Sequence, residues 1–163
     1  MYISEYNSPM GKIIISADDY GVTGLWFYGA KYFGSVLDNE NITKSTRDIR
    51  DAEKWLDIYF SGGIPGFTPR LHFIGTPFRQ MIWHILLEIP YGSTITYGDI
   101  SKRAANQMGI ESMSAQAVGG AVGHNPISLI VPCHRVIGTN GSLTGYAGGI
   151  DKKKRLLCFE KVK

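Results

Sequence analysis

Residues 76–92 read TPFRQMIWHILLEIPYG, and the character of the chain turns on this stretch. Thr76 offers a side-chain acceptor that caps a helix, and Pro77 fits the first turn, where a backbone N–H has no helical partner. Phe78, Met81, Ile82, Ile85, Leu86 and Ile89 recur at spacings of three and four, which places them on one helical face. Pro90-Tyr91-Gly92 ends the run. Two shorter helices are expected downstream. One starts near Thr96 and runs to Ala105, with Ile100 and Ala104 inward; the other covers Ser114–Val122, capped by Ser114 and halted at Asn125-Pro126. Three short helices on tight turns have the pattern of a helix-turn-helix arrangement. Ile127–Val131 then reads as a short buried strand or extended stretch, and Asp151–Glu160 as a final helix.

Upstream of Thr76 the pattern changes. Tyr2–Tyr6, Gly11–Ala17 and Val22–Phe27 read as strands, with Asp18-Asp19-Tyr20-Gly21 as a hairpin turn. A helix follows over Thr46–Phe60, where Ile49, Ala52, Trp55, Leu56 and Tyr59 hold helical spacing. Ser61-Gly62-Gly63 stops it, and a Pro/Gly-rich loop leads to Thr76. The expected class is therefore α+β: a small α/β domain over 1–75 and a helical domain over 76–163.

Composition narrows the functional classes. The chain has 163 residues, 44% hydrophobic and 19% charged, which excludes a disordered chain and supplies a sizeable core. No apolar run approaches the roughly 18–20 residues of a membrane span, and Met1–Lys12 lacks the order of a signal peptide. Two cysteines, Cys133 and Cys158, cannot form a disulfide framework, so a reducing, cytoplasmic setting is expected. Net charge is +3, but residues 1–75 carry −2 and residues 76–163 carry +5. A basic second half permits a nucleic-acid partner and does not by itself demand one.

Chemistry concentrates at Ile130-Val131-Pro132-Cys133-His134-Arg135-Val136. An apolar run carries the chain inward, proline stiffens the approach, and a thiol and an imidazole follow. A cysteine is a nucleophile as thiolate, so it needs a base or a positive field beside it. Neighbours on a flat strand face opposite ways, so the pair works only if Cys133 sits on a turn or helical end. Alone, the dipeptide fits a buried structural cysteine or the Cys-His pair of a hydrolase as well. Metal binding has little support, because there is no Cys-x-x-Cys and His72, His84 and His124 are scattered.

Pro132-Cys133-His134-Arg135-Val136, preceded by Asn125-Pro126 and followed by Gly145-Tyr146-Ala147-Gly148-Gly149, resembles the O6-alkylguanine-DNA alkyltransferase family. The likeness runs over Thr76 to Glu160. It implies direct, single-turnover repair of O6-alkylguanine, and of O4-alkylthymine, with the alkyl group moved irreversibly to Cys133. His134 would deprotonate Cys133 through a bound water, Glu160 would orient His134, and Asn125 would brace the cysteine segment. Tyr97, Val136, Tyr146 and Ala147 would line the pocket for the extruded base. Gln116, Ala117, Gly119, Gly120 and Arg135 would contact DNA, with the third helix entering the minor groove and the lesion flipped out of the stack. The resemblance further implies a ribonuclease-H-like first domain and a winged-helix-like second domain. It implies a monomer acting on double-stranded DNA, with no membrane, metal or cofactor.

One departure stands out: Gln116 occupies a position where well-known members carry arginine. Two further expectations concern the end of the chain. The run Lys152–Arg155 reads as a solvated helix face, and Cys158, among Leu156, Leu157 and Phe159, as buried packing. A DNA-binding module without chemistry remains the principal rival, set against the retained Cys133.

Overall fold

The β-rich runs of the first third pair in sequence order. In the computed structural model, which describes residues 1–143 and 145–161, β1 (Tyr2–Ser8) runs antiparallel to β2 (Gly11–Ala17), with Tyr2 opposite Ala17 and Ser8 opposite Gly11. β3 (Val22–Phe27) pairs antiparallel with β2, and a two-residue β4 (Ile42–Thr43) adds in parallel to the free edge of β1, giving the order β3-β2-β1-β4. The central strand is buried continuously from Ile13 to Ala17, because it has a neighbour on each side and is covered on both faces. Gly24 answers to packing: a Cβ there would lie 2.0 Å from the ring of Trp26, which is 2% exposed.

Helix α1 (Arg47–Phe60) packs on this sheet. Thr46 caps it by accepting from the Ile49 N–H, and Ile49, Ala52, Trp55, Leu56 and Tyr59 form its buried face as their spacing requires. Sheet and helix belong to a first compact unit, Met1–Ile74 with Pro126–Ser128.

The second unit comprises Gly75–Asn125 and Leu129–Lys163, described to Lys161. Its frame is three mutually packed helices: α2 (Pro77–Leu87), α3 (Tyr97–Met108) and α4 (Ala115–Gly123). Thr76 and Ser114 cap α2 and α4 as expected, and Thr96 and Asp99 form a reciprocal capping box on α3. Trp83 of α2, 1% exposed, donates its indole N–H to the Ala121 carbonyl of α4 at 2.9 Å, so a buried polar atom also locks two helices together. Two-residue strands β5 (Ile95–Thr96) and β6 (Val136–Ile137) pair in parallel, and α5 (Ile150–Phe159) closes the unit.

One expected element is absent. Ile127–Val131 is a turn rather than a strand: Ile127 makes an isolated bridge to Leu25, and Leu129 takes a left-handed conformation at φ 71°. The bonds Leu25 N–H to Pro126 carbonyl and Ser128 N–H to Leu25 carbonyl fix Pro126–Ser128, the part of this stretch that belongs to the first unit.

Candidate active site

The site lies within the second unit and starts from a backbone feature. Cys133–Arg135 form a single 3-10 turn between Pro132 and β6. On this turn adjacent side chains need not point to opposite faces, so Cys133 and His134 escape the geometry that would separate them on a strand. Both are buried, at 5% and 0% exposed.

His134 Nε2 lies 2.6 Å from Glu160 Oε2. A carboxylate can only accept there, so Nε2 carries the hydrogen and the neutral ring leaves Nδ1 as its basic nitrogen. Nδ1 has no protein hydrogen-bond partner among the described residues. Burial holds the imidazole below its usual proton affinity, against the opposing pull of Glu160. A neutral histidine with an open Nδ1 is a competent general base.

Glu160 is the surprise of position. It is the C-cap of α5, where the helix dipole disfavours a negative charge, yet it is 3% exposed. Arg135 supplies the compensation: its Nε donates to Glu160 Oε1 at 2.8 Å, and one terminal NH₂ donates to the Ile89 carbonyl at 2.7 Å. The guanidinium also stands 5.6 Å from the Tyr91 ring centroid. The expected role of Arg135 as a DNA contact is thereby corrected. Its side chain is turned inward and bonded, because a buried carboxylate flanked by imidazole requires a cation.

Asn125, 5% exposed, donates its amide to the Val131 carbonyl at 2.9 Å and hydrogen-bonds the Cys133 sulfur. It ties down the segment leading into Cys133 and counts toward the thiolate form. Burial holds the Cys133 thiol above its usual range, against the smaller opposing pull of Asn125, the charge of Lys153 and the backbone N–H groups of Cys133 and His134. Tyr97, the first residue of α3, is half-buried, and its phenol is held protonated by burial and by the cysteine charge. Tyr146 sets its ring edge-on to His134 at 6.5 Å, and Val136 is fully buried behind the turn. Tyr146 and Ala147 lie on a tight loop in which the Gly149 N–H bonds the Tyr146 carbonyl at 2.9 Å.

The α4 surface fits an external partner. Gln116, Ala117 and Gly120 are exposed, and a Cβ added to Gly119 or Gly120 would meet nothing within 4 Å. Close packing inside the protein therefore does not require these glycines. Two other expectations fail. Cys158 is exposed, on the side of α5 opposite the buried Leu156 and Leu157. Lys153 is fully buried, 0% exposed, whereas Lys154 and Arg155 face solvent. The signal was present: Lys153 lies three and four residues before Leu156 and Leu157, on the same helical face.

Comparison with known proteins agrees with this geometry. Residues 77–162 match the family described as 6-O-methylguanine DNA methyltransferase, DNA binding domain. A methylated-DNA–protein-cysteine methyltransferase of Methanosarcina acetivorans is 41% identical over 160 residues, covering 98% of each chain. One of Mycobacterium tuberculosis is 42% identical over 155 residues, covering 95% of this chain and 89% of that protein. A crystal structure of Mycobacterium tuberculosis OGT in complex with DNA superposes with a TM-score of 0.83 at 39% identity, covering 99% of this chain and 93% of that one. The chain belongs to the O6-methylguanine DNA methyltransferase family, the DNA-repair proteins that take an alkyl group from DNA onto a cysteine of their own.

Proposed function

We propose that Cys133 is the alkyl acceptor and that the buried series Arg135–Glu160–His134 makes it one. The observation that carries this reading is the 2.6 Å bond from His134 Nε2 to Glu160, which fixes the tautomer and leaves Nδ1 for the thiol proton. Nδ1 takes that proton through a water, and the thiolate attacks the alkyl carbon of O6-alkylguanine in line with the C–O6 bond. The S–C bond forms, the C–O6 bond breaks, and the electron pair leaves with guanine. Tyr97, protonated at neutral pH, donates to the base and stabilises the charge it gains. A thioether is no leaving group for water, so each chain acts once. O4-alkylthymine presents the same alkyl–oxygen bond and is the second substrate. Every group named belongs to the protein, and the reading requires neither metal nor cofactor.

The base reaches a buried sulfur only by leaving the helix stack. In this reading α3 and α4 form a helix-turn-helix within a winged-helix-like domain, 76–163, and 1–75 is a ribonuclease-H-like domain. Gln116, Ala117, Gly119 and Gly120 meet the minor groove of duplex DNA, supported by their open, small-residue surface. Val136, Tyr146 and Ala147 line the base pocket. The protein acts as a monomer, and its free thiols suit the reducing cytoplasm.

The test is stoichiometry. With duplex DNA containing O6-methylguanine in excess, repaired guanine should level off at one per protein chain, and Cys133→Ala should repair none while still binding the duplex. Continued turnover would exclude self-alkylation.

A further inference from the structure

We propose that Tyr91 is a further positioning residue for alkyl transfer: its ring seats the Arg135 guanidinium on Glu160 and so governs how Glu160 holds His134. The inference rests on the assignment of His134 as the base for Cys133. The segment Ile89-Pro90-Tyr91-Gly92 follows directly on α2 and its cap Glu88. Pro90 biases Ile89 toward extended backbone, so the Ile89 carbonyl leaves the helix and is offered elsewhere. It accepts from a terminal NH₂ of Arg135 at 2.7 Å. Beyond it the Ser93 N–H bonds the Pro90 carbonyl at 3.1 Å and closes a tight turn, with Gly92 at φ 79° in the third position, where only glycine is at ease. The Gly92 N–H donates to Glu160 Oε1 at 3.4 Å, and the Tyr91 ring centroid stands 5.6 Å from the Arg135 guanidinium carbon. One short turn thus touches both members of the buried ion pair, across 46 and 68 residues of sequence.

Glu160 answers two cationic or donor groups at once. Oε1 takes the Arg135 Nε–H at 2.8 Å, and Oε2 takes His134 Nε2 at 2.6 Å. The carboxylate charge raises the proton affinity of His134 and the guanidinium charge lowers it. A base has to be neutral at the working pH, so the place of Arg135 bears on the chemistry. Arg135 is only 7% exposed, and its planar fork is bonded along the edge by Glu160 and Ile89. The ring of Tyr91 supplies the contact that these bonds do not, on the face of the plane. Its phenol is held protonated by burial and by the Glu160 charge, so the ring brings no charge of its own. The other ionisable groups about His134 are Cys133 on the same turn, Lys153 of α5 and Tyr146 of the glycine loop. Glu88, beside Ile89, pairs with Arg103 at the surface at 3.3 Å.

The experiment titrates His134 by NMR in the full chain, its ring signals assigned by their loss in His134→Gln. Tyr91→Leu removes the ring and admits water to the guanidinium, so Glu160 acts on His134 with less opposition. The His134 midpoint should rise by about half a pH unit. Tyr91→Phe keeps the ring and should restore the parent midpoint. An unchanged midpoint in a folded Tyr91→Leu variant, or an equal rise in Tyr91→Phe, would overturn the inference. Should Tyr91→Leu not fold, 3,4,5-trifluorophenylalanine at position 91 keeps the shape of phenylalanine while weakening the negative face of its ring. Its midpoint should lie above that of Tyr91→Phe, and equal midpoints would overturn the proposal. Methyl transfer from O6-methylguanine duplex is followed against pH in parallel, and its acid limb should move with His134. A raised His134 midpoint with an unmoved transfer profile sinks the assignment of His134 as base. An unmoved midpoint beside normal transfer sinks the role of Tyr91 alone.

Discussion

The two units of this protein treat buried polar groups in opposite ways. In the first, the fully buried polar pair is Ser16 with Thr23, two neutral hydroxyls 2.8 Å apart, and the buried carboxylate Asp48 reaches out to Arg70 at the surface. In the second, His134, Arg135, Lys153 and Glu160 are all buried, and three of them share a single carboxylate network. A domain that only needs to fold has cheaper options than four buried ionisable groups. On the proposed reading, the difference marks where stability has been given up for reactivity.

Breaking the carboxylate network tests the contrast hardest. Glu160→Ala should slow transfer to Cys133 and destabilise the fold by about 3–5 kcal/mol, because it strands Arg135 and His134 in the interior. Urea unfolding reads the stability loss. Arg70→Met, which removes the exposed partner of Asp48, should cost far less, and equal losses would erase the distinction.

His134 gives the contrast a pH dependence. Its folded proton affinity is depressed, so the unfolded chain takes up a proton below about pH 6.5 that the folded site refuses. The stability from His134 is present above that pH and is lost as pH falls toward the lower folded value. His134→Gln should flatten that acid slope in thermal melts. His134→Ala should slow methyl transfer at neutral pH and recover part of the rate at higher pH, where the thiol ionises unaided. A wild-type rate at pH 7 would remove the base.

Smaller effects sharpen the comparison. Ser16→Ala should cost about 1 kcal/mol, the scale of one buried neutral hydrogen bond, with no change in transfer. Gln116→Arg should leave stability unchanged, since position 116 is exposed, yet bind duplex DNA more tightly and repair it faster. Its reaction with free O6-benzylguanine, which needs no flipping, should not change. Equal gains on both substrates would show that position 116 acts on the thiolate and not on extrusion.

How far the sequence reveals this follows from the range of each interaction. Helices α1, α2 and α4, with the caps Thr76 and Ser114, were legible because periodicity and capping are local. Strands β4, β5 and β6 were not, since two residues carry no period. Ile127–Val131 misled because five consecutive apolar or small residues look like a buried strand, while the turn depends on Leu129 and on pairing with distant Leu25. That Cys133 and His134 belong to one site was legible from one pentapeptide and its flanking motifs, and the structure places both, buried, on one 3-10 turn. Arg135 was misjudged because its partner lies 25 residues further on, and burial cannot be read from a cation beside Cys-His. Lys153 was hidden in a basic run whose charge suggested water, although its spacing to Leu156 and Leu157 placed it inside.

The central claim is that one particular sulfur takes the alkyl group, and the chain offers two. Peptide mass mapping after incubation with O6-methylguanine duplex addresses it directly. The account predicts one methyl group on the peptide containing Cys133 and none on that containing Cys158, although Cys158 is the exposed thiol. Methyl on Cys158, or on neither cysteine while guanine is restored, would contradict it.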